Sequence, residues 1–192
     1  MEKTSLGNST QEQELLRPIA LWAADCAEQA LSVFEDRFPM DKRPREAIEG
    51  GRAFGRGKKR DKNLRTLAWA AHSASKEADE PSAKYAARAA MLTAAVAYTH
   101  TDLPSIDQAR HVLGPLAYAA LALETTADKK SNISNQLIRR AIEKATPEVY
   151  HFLKHMPVQP KREKGGKGKS RLSLLYADID LALRAKALRL KK

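Results

Sequence analysis

Four side chains in this 192-residue chain are of the types from which acid–base or metal chemistry is built: Asp25, His72, His100 and His111. Three of them stand among small residues. Asp25 lies in Ala20-Leu-Trp-Ala-Ala-Asp-Cys-Ala-Glu28, His72 in Ala70-Ala-His72-Ser-Ala-Ser, and His100 closes Ala97-Tyr-Thr-His100. Histidine tunes readily near neutral pH and binds metals, and a carboxylate beside it orients the ring. Lone buried polar atoms are costly, so helices that each carry one such group should satisfy them against one another. The four are therefore read as a buried polar network, structural or ligand-binding. No two of them fall at i, i+4 and no His-Glu-x-x-His stretch occurs, so neither a metal nor another cofactor is expected.

Cys26 adds a thiol that could act as a nucleophile with a histidine as its base. Unpaired cysteine is among the most buried residue types and commonly just packs, and that is the role expected here. One cysteine excludes an internal disulfide and gives no zinc-type spacing. Two glycine-rich stretches, Gly50-Gly-Arg-Ala-Phe-Gly-Arg-Gly57 and Gly165-Gly-Lys-Gly-Lys-Ser170, superficially resemble phosphate loops. Neither combines the required glycine spacing with a preceding strand, so both are read as plain loops. No catalytic residue is assigned.

The elements that must position these groups are helical. Hydrophobic residues make up 43% of the chain and aromatics only 6%. Much of that apolar share is alanine, which favours helix and lets helix axes approach closely. No stretch alternates β-branched and aromatic residues at period two. The expectation is an all-α, single-domain bundle of about seven to eight helices around a central alanine-rich one. Residues 1–11 are expected to be a disordered N-terminus, 12–156 the helical core, 157–170 a basic Gly/Lys loop, and 171–192 a C-terminal amphipathic helix with a basic end.

Local signals divide the core. Pro18 suits the first turn of a helix whose stripe of Ile19, Trp22, Cys26, Ala30 and Val33 continues to about Phe38. Pro44 can start a second, ending near Gly55. Asp61 or Asn63 caps a third, with Leu64, Leu67, Ala68, Ala71, Ala74 and Ala78 on one side. A fourth, about 82–100, is apolar almost all round, the mark of a buried central element. Ser105-Ile-Asp-Gln108 reads as a capping box opening a fifth to about Glu124, which Pro115 should kink. A sixth spans 134–145, a short seventh follows Thr146-Pro147, and a last one, 171–190, must bury its stripe of Leu172, Leu175, Ile179 and Leu183.

The net charge of +11 is unevenly spread. Residues 161–192 hold 11 Lys/Arg against three acids, whereas 1–160 hold 23 against 20. Two basic stretches, 37–65 and 161–192, could receive phosphates or an acidic protein face. The partner-binding residues read from them are Arg43, Arg45, Arg52, Arg56, Lys58, Lys59, Arg60, Lys161, Arg162, Lys164, Lys167, Lys169 and Arg171. Neither stretch interleaves aromatics for base stacking, and no recognition-helix motif stands out. Nucleic acid therefore ranks second to a protein partner. The longest mostly apolar run, Val112 to Leu123, is too short to span a bilayer, and no secretory signal pattern opens the chain. A soluble cytoplasmic protein is expected, its oligomeric state open.

Several short motifs, in order, resemble a bacterial family of putative immunity proteins, the Imm-5-like proteins. They are Leu21-Trp-Ala-Ala-Asp-Cys-Ala-Glu28, Arg43-Pro-Arg-Glu-Ala-Ile-Glu49, Ala70-Ala-His72, Ala87-Arg-Ala-Ala and His111-Val-Leu-Gly114. Pro147 to Pro157 with the amphipathic helix after it is similar too. The resemblance implies an all-helical single domain, non-catalytic, that neutralises a toxin by binding it. The chain departs from the family pattern at Pro115, where alanine is usual, and in its more lysine-rich 160s. With a charge of +11, such a protein suits a toxin with an acidic contact face, or contact through a neutral face, better than a nuclease with a positive active site. The alternatives are phosphate-backbone binding through 37–65 and 161–192, and an enzyme built on Asp25 and the histidines.

Overall fold

The computed structural model describes residues 3–126, 132–160 and 170–189, with side chains from Thr10 onward. Among these residues it has nine α-helices and no strand: α1 (Lys3–Glu28), α2 (Leu31–Glu35), α3 (Arg43–Gly55), α4 (Lys62–Glu77), α5 (Pro81–Ala95), α6 (Ile106–Thr126), α7 (Ile133–Lys144), α8 (Pro147–Lys154) and α9 (Arg171–Arg189). A 3-10 turn, Val96–Tyr98, extends α5.

Most starts follow from local chemistry. Pro44, Pro81 and Pro147 occupy the first turns of α3, α5 and α8, where the missing N–H has no intrahelical partner to lose. The Asp61 carboxylate accepts the Leu64 N–H at 3.0 Å and caps α4. Ser105 Oγ accepts the Gln108 N–H at 3.1 Å and opens α6. The reciprocal half of that capping box is diverted, because Gln108 Oε1 takes the His100 N–H at 2.8 Å instead. Gly57, at φ +109°, turns the chain out of α3 in the left-handed region that glycine enters at least cost.

The first two helices depart from expectation. α1 starts at Lys3, inside the stretch read as disordered, so Pro18 lies in its interior and not in its first turn. An interior proline forfeits a backbone hydrogen bond, but Leu16, Ile19 and Ala20 around it are fully buried, and that burial holds the helix through it. The chain then breaks at Gln29–Ala30, where one continuous helix was expected. The short α2 swings Leu31 and Phe34 into the core against α5 and α6. Tertiary burial outweighs the helical continuity that propensity favours. The glycine run from Gly50 is likewise helical as far as Gly55 and not a loop.

The core centres on α5, which packs against α1, α2, α3, α4 and α6. Ala83, Ala86, Ala87, Ala89, Ala90 and Ala94 are all buried on it. Small residues set the spacing: at Gly51 of α3, a Cβ would lie 2.8 Å from Thr93 Cγ2 and 3.0 Å from the Thr93 carbonyl oxygen of α5. α9 buries Leu175, Ile179 and Leu183 and packs on α6, α7 and α8 of its own chain. No helix among the described residues is long and apolar enough to cross a membrane.

Candidate functional site

The four polar residues do not assemble into a buried network. Helix geometry explains Asp25. Cys26 faces inward at 2% exposure, and a neighbour about 100° round the helix faces out, so the Asp25 side chain is 71% exposed. It lies 3.4 Å from Arg52 Nη2, and that guanidinium also holds Glu28 and Glu49. On α4, Ala71 takes the inward position and His72 sits half-buried at the edge. His100 is exposed in the segment after the 3-10 turn, and His111 is half-buried on α6. His100 and His111 lie close enough that one charge opposes the other, whereas Asp25 and His72 belong to other faces. His111 Nδ1 is buried without a partner. Desolvation pulls its pKa below the usual imidazole value, with His100 adding to the shift and Asp107 opposing it.

Cys26 behaves as packing. Burial first, and then the Asp25 charge, push its thiol pKa far above the usual range, which suppresses the reactive thiolate. Metal-capable geometry lies elsewhere. Donor atoms of Glu12, His100 and Asp102 fall within 4.8 Å of one another. Glu12 is already engaged there, accepting the Thr101 N–H at 3.2 Å and lying 3.6 Å from Arg60. His151 and His155, at i, i+4 along α8 and its C-terminal residue, bring their rings to 5.0 Å. That i, i+4 spacing is plain in the sequence.

The basic patch of the body is neutralised in part within the chain. Arg43 bridges Asp41 and Glu77, Arg45 pairs with Glu35, and Arg52 gathers three carboxylates. Arg60 donates to the Ala97 carbonyl at 3.0 Å and lies over the Tyr98 ring. Arg171 pairs with Glu124 at 2.6 Å, tying α9 to α6. Only Arg56, Lys58 and Lys59 of that set stay exposed with no acidic partner among the described residues. Lys161, Arg162, Lys164, Lys167 and Lys169 lie outside the described residues.

Two further surfaces carry charged and aromatic side chains together. A groove of about 700 Å³ runs between α1 and α7. Leu21, Trp22, Cys26 and Leu137 line it, with Asp25 and Glu28 on the α1 side and Arg140 and Lys144 on the α7 side. The Trp22 indole ties the two helices by donating to the Ala141 carbonyl at 2.9 Å. The other surface is the outer face of α4 and α5. Trp69 is 64% exposed there, its ring edge-on to His72 at 5.6 Å between centroids. His72 Nδ1 accepts from the Arg88 guanidinium, so the neutral ring carries its proton on Nε2. Burial, followed by the Arg88 and Lys76 charges, lowers the His72 pKa.

Sequence reading missed Trp69 and Arg88. The signal was present: Trp69 falls off the Leu64, Ala68, Ala71 stripe, so its indole had to point outward. Comparison with known proteins gives one family. The model described as Imm-5 like putative immunity protein matches residues 8–147, from α1 to the first residue of α8. No curated protein and no solved structure matches the chain.

Proposed function

We propose, from the premise that this chain belongs to the family of Imm-5 like putative immunity proteins, that it is a non-catalytic protein-binding module that neutralises a protein toxin by direct association. The family match over residues 8–147 carries the reading. The site chemistry supports it: Cys26 is buried, Asp25 is held by Arg52, and His72 is held by Arg88. Asp25 thus stands apart from the histidines that the enzyme alternative joins to it. The nucleic-acid alternative loses Arg43, Arg45 and Arg52 of its body patch to Glu28, Glu35, Glu49 and Glu77. A net charge of +11 favours a partner with an acidic contact face.

The test is growth of cells that express a toxin encoded beside this gene, with and without the full chain. Protection that scales with the amount of chain supports the reading. A chain that neither protects against nor co-purifies with any such toxin removes it.

A further inference from the structure

We infer that the outer face of α4 and α5, centred on Trp69 and Arg88, is the docking surface for an acidic protein segment. This rests on the reading of the chain as a toxin-binding protein and names the surface that does the binding.

Three observations converge. The first is charge that is left unanswered. Lys62, Arg65 and Lys76 share one side of α4 with Trp69 at helical spacing, and Lys84 and Arg88 fall at i, i+4 on α5. None of these five cations has a carboxylate partner among the described residues, although Arg65 lies over the Tyr98 ring at 4.7 Å. The acids nearby in sequence are already engaged: Asp61 by the Leu64 N–H it caps, Glu77 by Arg43, and Asp79 and Glu80 by Arg37. The charge therefore complements acidic side chains brought by a partner.

The second is rigidity. Arg88 lies 5.7 Å from the Tyr118 ring of α6. Tyr118 in turn meets Tyr85 at 6.2 Å and Tyr176 of α9, edge-on, at 6.5 Å. One N–H of the Arg88 fork is spent on His72, which leaves other donors of a fixed guanidinium for a carboxylate. A surface ordered beforehand loses less entropy on binding. The third is composition. Trp, Tyr and Arg dominate binding hot spots, and Trp69 is the one exposed Trp, Tyr or Phe ring among the described residues.

The competing groove between α1 and α7 carries Arg140 and Lys144, its acids Asp25 and Glu28 being held by Arg52, so its surplus is two cations where this face has five. A single-stranded nucleic acid would need successive stacking platforms, and this face offers one.

The test uses the full chain and two probes: a dye-labelled helical peptide with glutamates flanking one leucine per turn, and an oligonucleotide of equal charge. Trp69→Ala, Arg88→Gln and the double reversal Lys76→Glu/Lys84→Glu probe the face. Arg140→Glu/Lys144→Glu is the matched control, and circular dichroism checks folding. Loss of peptide affinity by about 30-fold in Trp69→Ala and Arg88→Gln, with the control within about twofold, is the expected result. Unchanged affinity in both, or an oligonucleotide that binds this face in preference to the peptide, overturns the inference. The same variants against the neighbouring toxin separate the two readings. Undiminished toxin binding sinks the surface and leaves the immunity reading standing. Peptide binding at this face without any toxin binding does the reverse.

Discussion

Asp180 is the most informative single side chain for the stability of this fold. It is fully buried on α9, accepts the Gln159 backbone N–H at 2.8 Å, and pairs with Arg184 Nε at 2.8 Å. Arg184 also donates to the Met156 carbonyl at 3.0 Å. Gln159 continues the clasp, donating through Nε2 to the Ile106 carbonyl at 3.1 Å and accepting from Arg110 Nε at 3.2 Å. One carboxylate thus holds α9 and the 156–160 segment together, and Gln159 carries the link to the start of α6. Asp180→Ala strands two donors. Breaking a buried pair from one side costs about 3–5 kcal/mol. Arg184 keeps its carbonyl and 22% exposure, so the lower end, about 3 kcal/mol, applies. For a chain of this length that lowers Tm by roughly 6–12 °C. Thermal and urea unfolding followed by circular dichroism measure it. Arg184→Met and the double variant complete a cycle whose coupling should exceed about 1 kcal/mol. A loss below about 1 kcal/mol in Asp180→Ala would refute the clasp.

Further outcomes follow from packing and titration. Gly51→Ala should destabilise by about 1 kcal/mol in urea, since crowding against the Thr93 carbonyl outweighs the better helix propensity of alanine; a stabilised variant would contradict the close approach. Cys26 should react with an aromatic disulfide reagent only as fast as the protein opens, so rapid labelling of native protein would contradict its burial. The folded-state pKa of His111 lies below the ordinary value of 6.5, so the unfolded chain takes up its proton first. Its contribution is present above about pH 6.5 and is lost as pH falls through the lower folded value. His111→Gln should therefore flatten the decline in urea midpoint on acidification, and an unchanged slope would argue against it.

Pro18 aside, single residues that set a helix start were legible in the sequence. Asp61, Ser105 and the prolines at 44, 81 and 147 place helix starts through their own side chains or rings. The spacing of Leu175, Ile179 and Leu183 fixes the buried side of α9. What stayed hidden depends on neighbours remote in sequence. Nothing near Gln29 marks a break; the pull of Leu31 and Phe34 into the core produces it. Arg43 finds Glu77 and Arg52 finds Glu28 only once α3 lies beside α4 and α1. Small neighbours around Asp25 and His72 suggested an interior that Cys26 and Ala71 occupy in fact.

Titration of a purified neighbouring toxin with the full chain, scoring residual toxin activity against molar ratio, bears most directly on the central claim. Association without chemistry predicts a linear fall to zero at a fixed ratio, with both chains recovered at unchanged mass. Complete inactivation at a small fraction of that ratio, or a covalently altered toxin, would mean turnover and contradict the account.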